Sequence, residues 1–68
     1  MKRIKEYKCD GRTPTDKELL MSIKIASDDN CIVKLNWFFP YTGNYSIEIS
    51  SDMTLDMCKE RLPKFYPL

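Results

Sequence analysis

Three apolar stretches alternate at the two-residue period of a β-strand and fit one another in a single register. They are Leu19-Met21-Ile23-Ile25, Cys31-Val33-Leu35-Trp37-Phe39 and Tyr45-Ile47-Ile49. Taking Asp28-Asp29-Asn30 as a three-residue hairpin loop, with Asn30 left-handed, sets Ile25 against Val33, Ile23 against Leu35, Met21 against Trp37 and Leu19 against Phe39. A second loop at Tyr41-Thr42-Gly43 sets Trp37 opposite Ile47 and Leu35 opposite Ile49. A slip of one residue would turn each set to the wrong face, so two hairpins obeying one pattern favour strands.

A competing signal sits inside the first stretch. Thr15-Asp16-Lys17-Glu18 reads as a capping box, and Leu19, Ile23 and Ala26 would then share one face of a helix over residues 15–26. The joint register decides for strands. Residues 2–9 give weak support to a further strand, because Ile4 and Tyr7 fall on opposite parities. Asp10-Gly11 marks a turn, and Pro14 keeps Thr13 out of the helical region.

Beyond Ser50 the period changes. Thr54 has the chemistry of an N-cap, Asp56 favours the first turn, and Leu55, Cys58 and Leu62 recur at helical spacing. Pro63 stops that helix near Arg61 or Leu62. The tail Lys64-Phe65-Tyr66-Pro67-Leu68 is apolar enough to pack on the sheet or a partner. The expected fold is α+β over residues 1–68 as one domain: a small antiparallel three- to four-stranded β-meander with one short C-terminal helix on one face.

Length, charge and cysteine usage narrow the function classes. A chain of 68 residues holds a core at the lower limit of self-sufficiency, which makes a partner or a homodimer an ordinary expectation. Net charge is +1, from 11 basic and 10 acidic residues. That balance suits neither a DNA mimic nor a general nucleic-acid binder. Cys9, Cys31 and Cys58 are odd in number and widely spaced, as free thiols in a reducing cytoplasm are, and no CxxC or His offers zinc a site. Met1-Lys2-Arg3-Ile4-Lys5-Glu6 is followed by no apolar signal region, and no apolar run reaches the roughly 20 residues of a membrane span. A soluble cytoplasmic protein is expected.

Catalysis has little material. Without His there is no ordinary general base near neutral pH, and nothing local activates a cysteine. Asp28, Asp29 and Asp10 lack the remaining ligands of a calcium loop. The expectation is a non-enzyme with neither metal nor cofactor.

Binding has more. In the meander register the outer sheet face carries Leu20, Ser22 and Lys24, then Ile32, Lys34, Asn36 and Phe38, then Ser46, Glu48 and Ser50. Leu20 and Phe38 would be cross-strand neighbours, Lys24 and Lys34 a like-charge pair, and Glu48 diagonal to Lys34. Leu20, Lys24, Lys34, Phe38 and the loop residue Tyr41 form the candidate partner surface. The alternative is weak single-stranded nucleic-acid binding, with Lys2, Arg3, Lys5 and Lys8 on phosphates and Phe38 stacking a base. The leading expectation is a small cytosolic protein-interaction module acting by binding alone. Regulators and inhibitors encoded by phages and plasmids have this form, and the Ala-poor composition, with Ala26 alone, is compatible with an A/T-rich genome.

Overall fold

The capping box at Thr15 wins over the alternation that follows it. The structure, a computed structural model, describes residues 3–9, 13–39 and 43–62, with Phe39 by its backbone alone. The hydroxyl of Thr15 accepts from the Glu18 amide at 3.2 Å, and the Glu18 carboxylate accepts from the Thr15 amide at 2.9 Å. Helix α1 therefore runs Asp16–Asp29. Two donors that a helix start leaves unsatisfied find partners there.

The helix faces explain why hydropathy misleads. α1 buries Leu19, Ser22 and Ala26 and leaves Leu20 and Met21 about half exposed. Ser22 is tolerated inside because its hydroxyl donates to the Glu18 carbonyl at 2.8 Å. The strand reading of residues 15–26 is thus corrected, and Asp28-Asp29-Asn30 is no hairpin loop. Asn30 does take the left-handed conformation (φ 48°), but as the C-cap of α1, where its amide donates to the Ala26 carbonyl. Asn30→Ala should cost about 1 kcal/mol, since a Cβ without a polar side chain is disfavoured there. Asn30→Gly should cost less, and urea unfolding midpoints check both.

Three strands form one sheet in the order β1-β2-β3: β1 Ile4–Lys8, β2 Ile32–Phe39 and β3 Gly43–Ile49. β1 lies parallel to β2, with Ile4 beside Ile32 and Tyr7 beside Leu35. Parallel neighbours need a long crossover, and α1 supplies it. β2 and β3 are antiparallel, with Val33 opposite Ile49, Leu35 opposite Ile47 and Trp37 opposite Tyr45. That register is displaced by two residues from the expected one, and an even displacement keeps every side chain on its face. Gly43 opens β3 at φ 103°, a conformation that side chains disfavour. The sheet is therefore mixed, not an antiparallel meander, and it is the β1 strand that departs.

Helix α2, Leu55–Arg61, follows its sequence signals closely. Thr54 caps it by accepting from the Met57 amide at 3.2 Å, and Leu62 ends it in extended geometry. Cys58 is buried, while Leu55 and Leu62 pack against the core. α2 lies against α1, and Lys59 near its end reaches Asp16 at the start of α1 at 3.5 Å. Each charge also suits the dipole of its own helix. Two helices, not one, accompany the sheet, so the fold is α+β of the form βαββα. Among the described residues, no helix is long and apolar enough to cross a membrane.

The core sits between the inner face of the sheet and α1, drawing on Leu19, Ala26, Cys31, Val33, Leu35, Trp37, Ile47, Ile49, Met53 and Cys58. Trp37 stacks on Tyr45 with ring centroids 6.0 Å apart. Among the described residues its buried indole nitrogen finds no hydrogen-bond partner. The turn expected at Asp10-Gly11, the stop at Pro63 and the packing of Phe65 and Tyr66 lie outside the described residues.

Candidate functional site

The inner face of the sheet is covered unevenly. α1 lies over β2 and β3, so the helix side of β1 stays open. Tyr7 projects there beside Leu35 and is 44% exposed. Facing it, Glu18, Met21, Ser22 and Ile25 descend one side of α1 at helical spacing. With Lys8, Cys9 and the buried Leu35 as floor, they enclose a groove of about 260 Å³. Its lining is mainly apolar (Tyr7, Cys9, Met21, Ile25, Leu35), with Lys8 and Glu18 its charged members.

The groove runs beside a strand edge that is unpaired among the described residues. Ile32 donates to the Arg3 carbonyl at 2.8 Å and Cys9 donates to the Asn36 carbonyl at 2.7 Å. With the parallel register, these bonds assign Arg3, Lys5, Tyr7 and Cys9 as the residues whose backbone faces β2. Ile4, Glu6 and Lys8 therefore turn their N–H and C=O groups to the open edge. β3 has an equivalent edge at Asn44, Ser46 and Glu48. There α1 packs on the inner side.

Charges on β1 are partly spoken for. The Lys5 ammonium donates a short hydrogen bond to the Asp29 carboxylate, fastening β1 to the end of α1. That hydrogen bond holds the Asp29 carboxyl below, and the Lys5 ammonium above, its ordinary pKa. The Asp29 contribution to stability is present above the usual carboxylate value of about 4 and fades as pH falls through the lowered native value. The Lys5 contribution is present below about 10.5 and fades as pH rises through the raised native value. Asp29→Asn should therefore flatten the acid limb of a stability-against-pH curve below about pH 4. Overlapping acid limbs for the two proteins would remove the pair from the folding balance.

On the outer face, Glu6 reaches Lys34 at 3.8 Å, and Glu48 stands directly opposite Lys34 rather than diagonal to it. Lys34 is thus bracketed by two carboxylates. Lys8, Asn36, Phe38 and Asn44 surround a second recess of about 320 Å³, together with Trp37 and Tyr45. At the other end of this face, Ile4 lies beside Ile32.

These placements redistribute the residues singled out in the sequence. Leu20 and Lys24 are on α1, on the other side of the sheet from Phe38, so neither the Leu20–Phe38 patch nor the Lys24–Lys34 pair exists. Lys24 instead pairs with Asp28 one helical turn on, at 3.7 Å. Asp28 and Asp29 each have a lysine partner, and among the described residues no metal-binding cluster forms. Of the basic N-terminal set, Arg3 and Lys8 are exposed and Lys5 is tied to Asp29. Lys2 and Tyr41 lie outside the described residues. Phe38 and Lys8 do come together, in the outer recess.

The groove residues Tyr7, Met21 and Ile25 were missed as a set. Only the long-range pairing of β1 with β2 brings Tyr7 to α1, and no local pattern reports that. Burial raises the Cys58 thiol pKa, which keeps it protonated and inert. Set against protein-family models, curated proteins and solved structures, the chain matches none of them.

Proposed function

We propose that this chain is a small cytosolic protein-interaction module, one that regulates or inhibits a larger assembly by binding alone. One observation carries the reading: among the described residues, an open strand edge runs beside an unfilled apolar groove. Edge backbone supplies directional hydrogen bonds, and a neighbouring groove supplies selectivity for a side chain. Met21, 52% exposed on its helix, is the flexible apolar surface such contacts use.

Affinity capture from the cells that make the protein tests this, with nuclease-treated and untreated halves run in parallel. A protein retained by the wild type after nuclease, and lost with Met21→Glu, is the expected result. Recovery of the bait alone would overturn the reading in favour of a homodimer.

Single-stranded nucleic acid is the second reading, favoured by the meeting of Lys8, Asn36, Phe38 and Asn44 in one recess. A cation, an aromatic face and two amides are the groups that hold a nucleotide. With Lys34 bracketed by Glu6 and Glu48, the face has little net positive charge for a phosphate chain. Binding of this kind would weaken steeply with salt and vanish from the nuclease-treated half.

A further inference from the structure

We propose that β1 accepts a fourth strand: an extended, acidic segment of a partner protein, paired antiparallel with Ile4–Lys8 and seating one apolar side chain in the groove beside Tyr7. This rests on the protein-interaction reading and gives the partner its chemistry. Three observations converge on it.

Hydrogen bonding sets the geometry. Ile4, Glu6 and Lys8 offer their N–H and C=O groups to the edge at alternate positions, which an incoming antiparallel strand matches residue for residue. Pleating sets the side-chain directions. A partner residue opposite Tyr7 points to the inner side of the sheet, where Met21, Ile25 and Leu35 wait.

Charge sets the composition. Lys5 is paired with Asp29, Glu6 shares Lys34 with Glu48, and the exposed Lys8 and Arg3, the latter also acting on Asp29 through space, stand at the two ends of the strand. Carboxylates opposite those two cations complete the seam. Read forward along the partner, the pattern is acid, apolar residue, three residues of any kind, acid. The first acid faces Lys8, the apolar residue faces Tyr7 and the last acid faces Arg3.

The same cations turn away a second copy of this chain. Two β1 strands paired about Glu6 would set the glutamates against each other and bring both sets of Arg3 and Lys8 to one seam. Edge lysines discourage sheet-to-sheet pairing in this way, and the selection for an acidic strand follows from the same charge.

The test selects phage-displayed random dodecapeptides on the immobilised full chain, then follows amide hydrogen exchange with a selected synthetic peptide. The expected result is a consensus of an apolar residue between acids at the stated spacing. With nine-tenths of the sites filled, the amides of Ile4, Glu6 and Lys8 should slow about tenfold, while those of Asn44, Ser46 and Glu48 do not change. The double variant Arg3→Glu/Lys8→Glu should select basic flanks around the same apolar residue.

Peptides that bind but protect the β3 edge, or protect no edge and depend on Phe38, would overturn the β1 assignment and leave the interaction reading standing. Failure to enrich any peptide, alongside a nuclease-resistant captured protein, would do the same. Failure to enrich any peptide together with recovery of the bait alone would end both.

Discussion

Trp37→Ala should remove about 3–5 kcal/mol of stability. A chain of this length has a total of only about 3–10 kcal/mol to lose, so the substitution removes about a third of it at the least, and at the low end of that range most of the variant is unfolded in dilute buffer. Trp37 is 2% exposed on β2, paired with Tyr45 of β3 and stacked on its ring. Truncation opens a cavity in the core, and a small domain has few other contacts to compensate. The orphaned indole N–H adds a refinement. Its desolvation already counts against the native state, so Trp37→Phe should cost clearly less than the lost ring area suggests. Urea titration followed by circular dichroism measures both. A midpoint unmoved by Trp37→Ala would take that side chain out of the core.

The second large effect separates helix from strand at a single position. Met21→Pro should cost about 3 kcal/mol or more, because it removes an amide from the middle of α1 and drives its ring into the preceding turn. Met21→Ala should stay within about 0.5 kcal/mol, as an exposed helical position tolerates or gains from alanine. Were residues 19–25 a strand facing the core, the alanine variant would lose several kcal/mol from an emptied site, about 2–5 by the usual range. A large penalty for Met21→Ala would therefore restore the meander and dissolve the groove.

Much of the secondary structure was legible where one face of an element is buried and the other is wet. β2 and β3 show that alternation, and their inward sets Val33-Leu35-Trp37 and Tyr45-Ile47-Ile49 are on one face as read. Thr54 and the helical spacing of Leu55, Cys58 and Leu62 located α2. α1 was misread because it buries a serine and an alanine while exposing Leu20 and Met21, so its apolar residues do not mark its inner face. Its capping box was the truer signal, being local chemistry that only a helix start satisfies. The two-residue displacement between β2 and β3 was invisible to parity.

β1 was illegible for a reason tied to the site itself. Ile4 on the outer face and Tyr7 on the inner face are both exposed, so neither parity is apolar. A strand whose apolar side chains are exposed on both faces has no period to read. What hid β1 from the pattern is also what leaves it free to bind, and the groove, assembled from residues far apart in sequence, had no local signature.

The three cysteines turn the molecule into its own stability gauge. Cys9, Cys31 and Cys58 are in no disulfide, buried and held in separate parts of the fold: the end of β1, the entry to β2 and the middle of α2. A thiol reagent meets each of them only when its surroundings open, so alkylation rates report local opening equilibria without denaturant. Cys9 reports the detachment of the edge strand, while Cys31 and Cys58 report the core. A bound fourth strand, by holding β1 to its neighbours, would slow alkylation at Cys9 first, and a mass spectrometer could read the binding event from one sulfur.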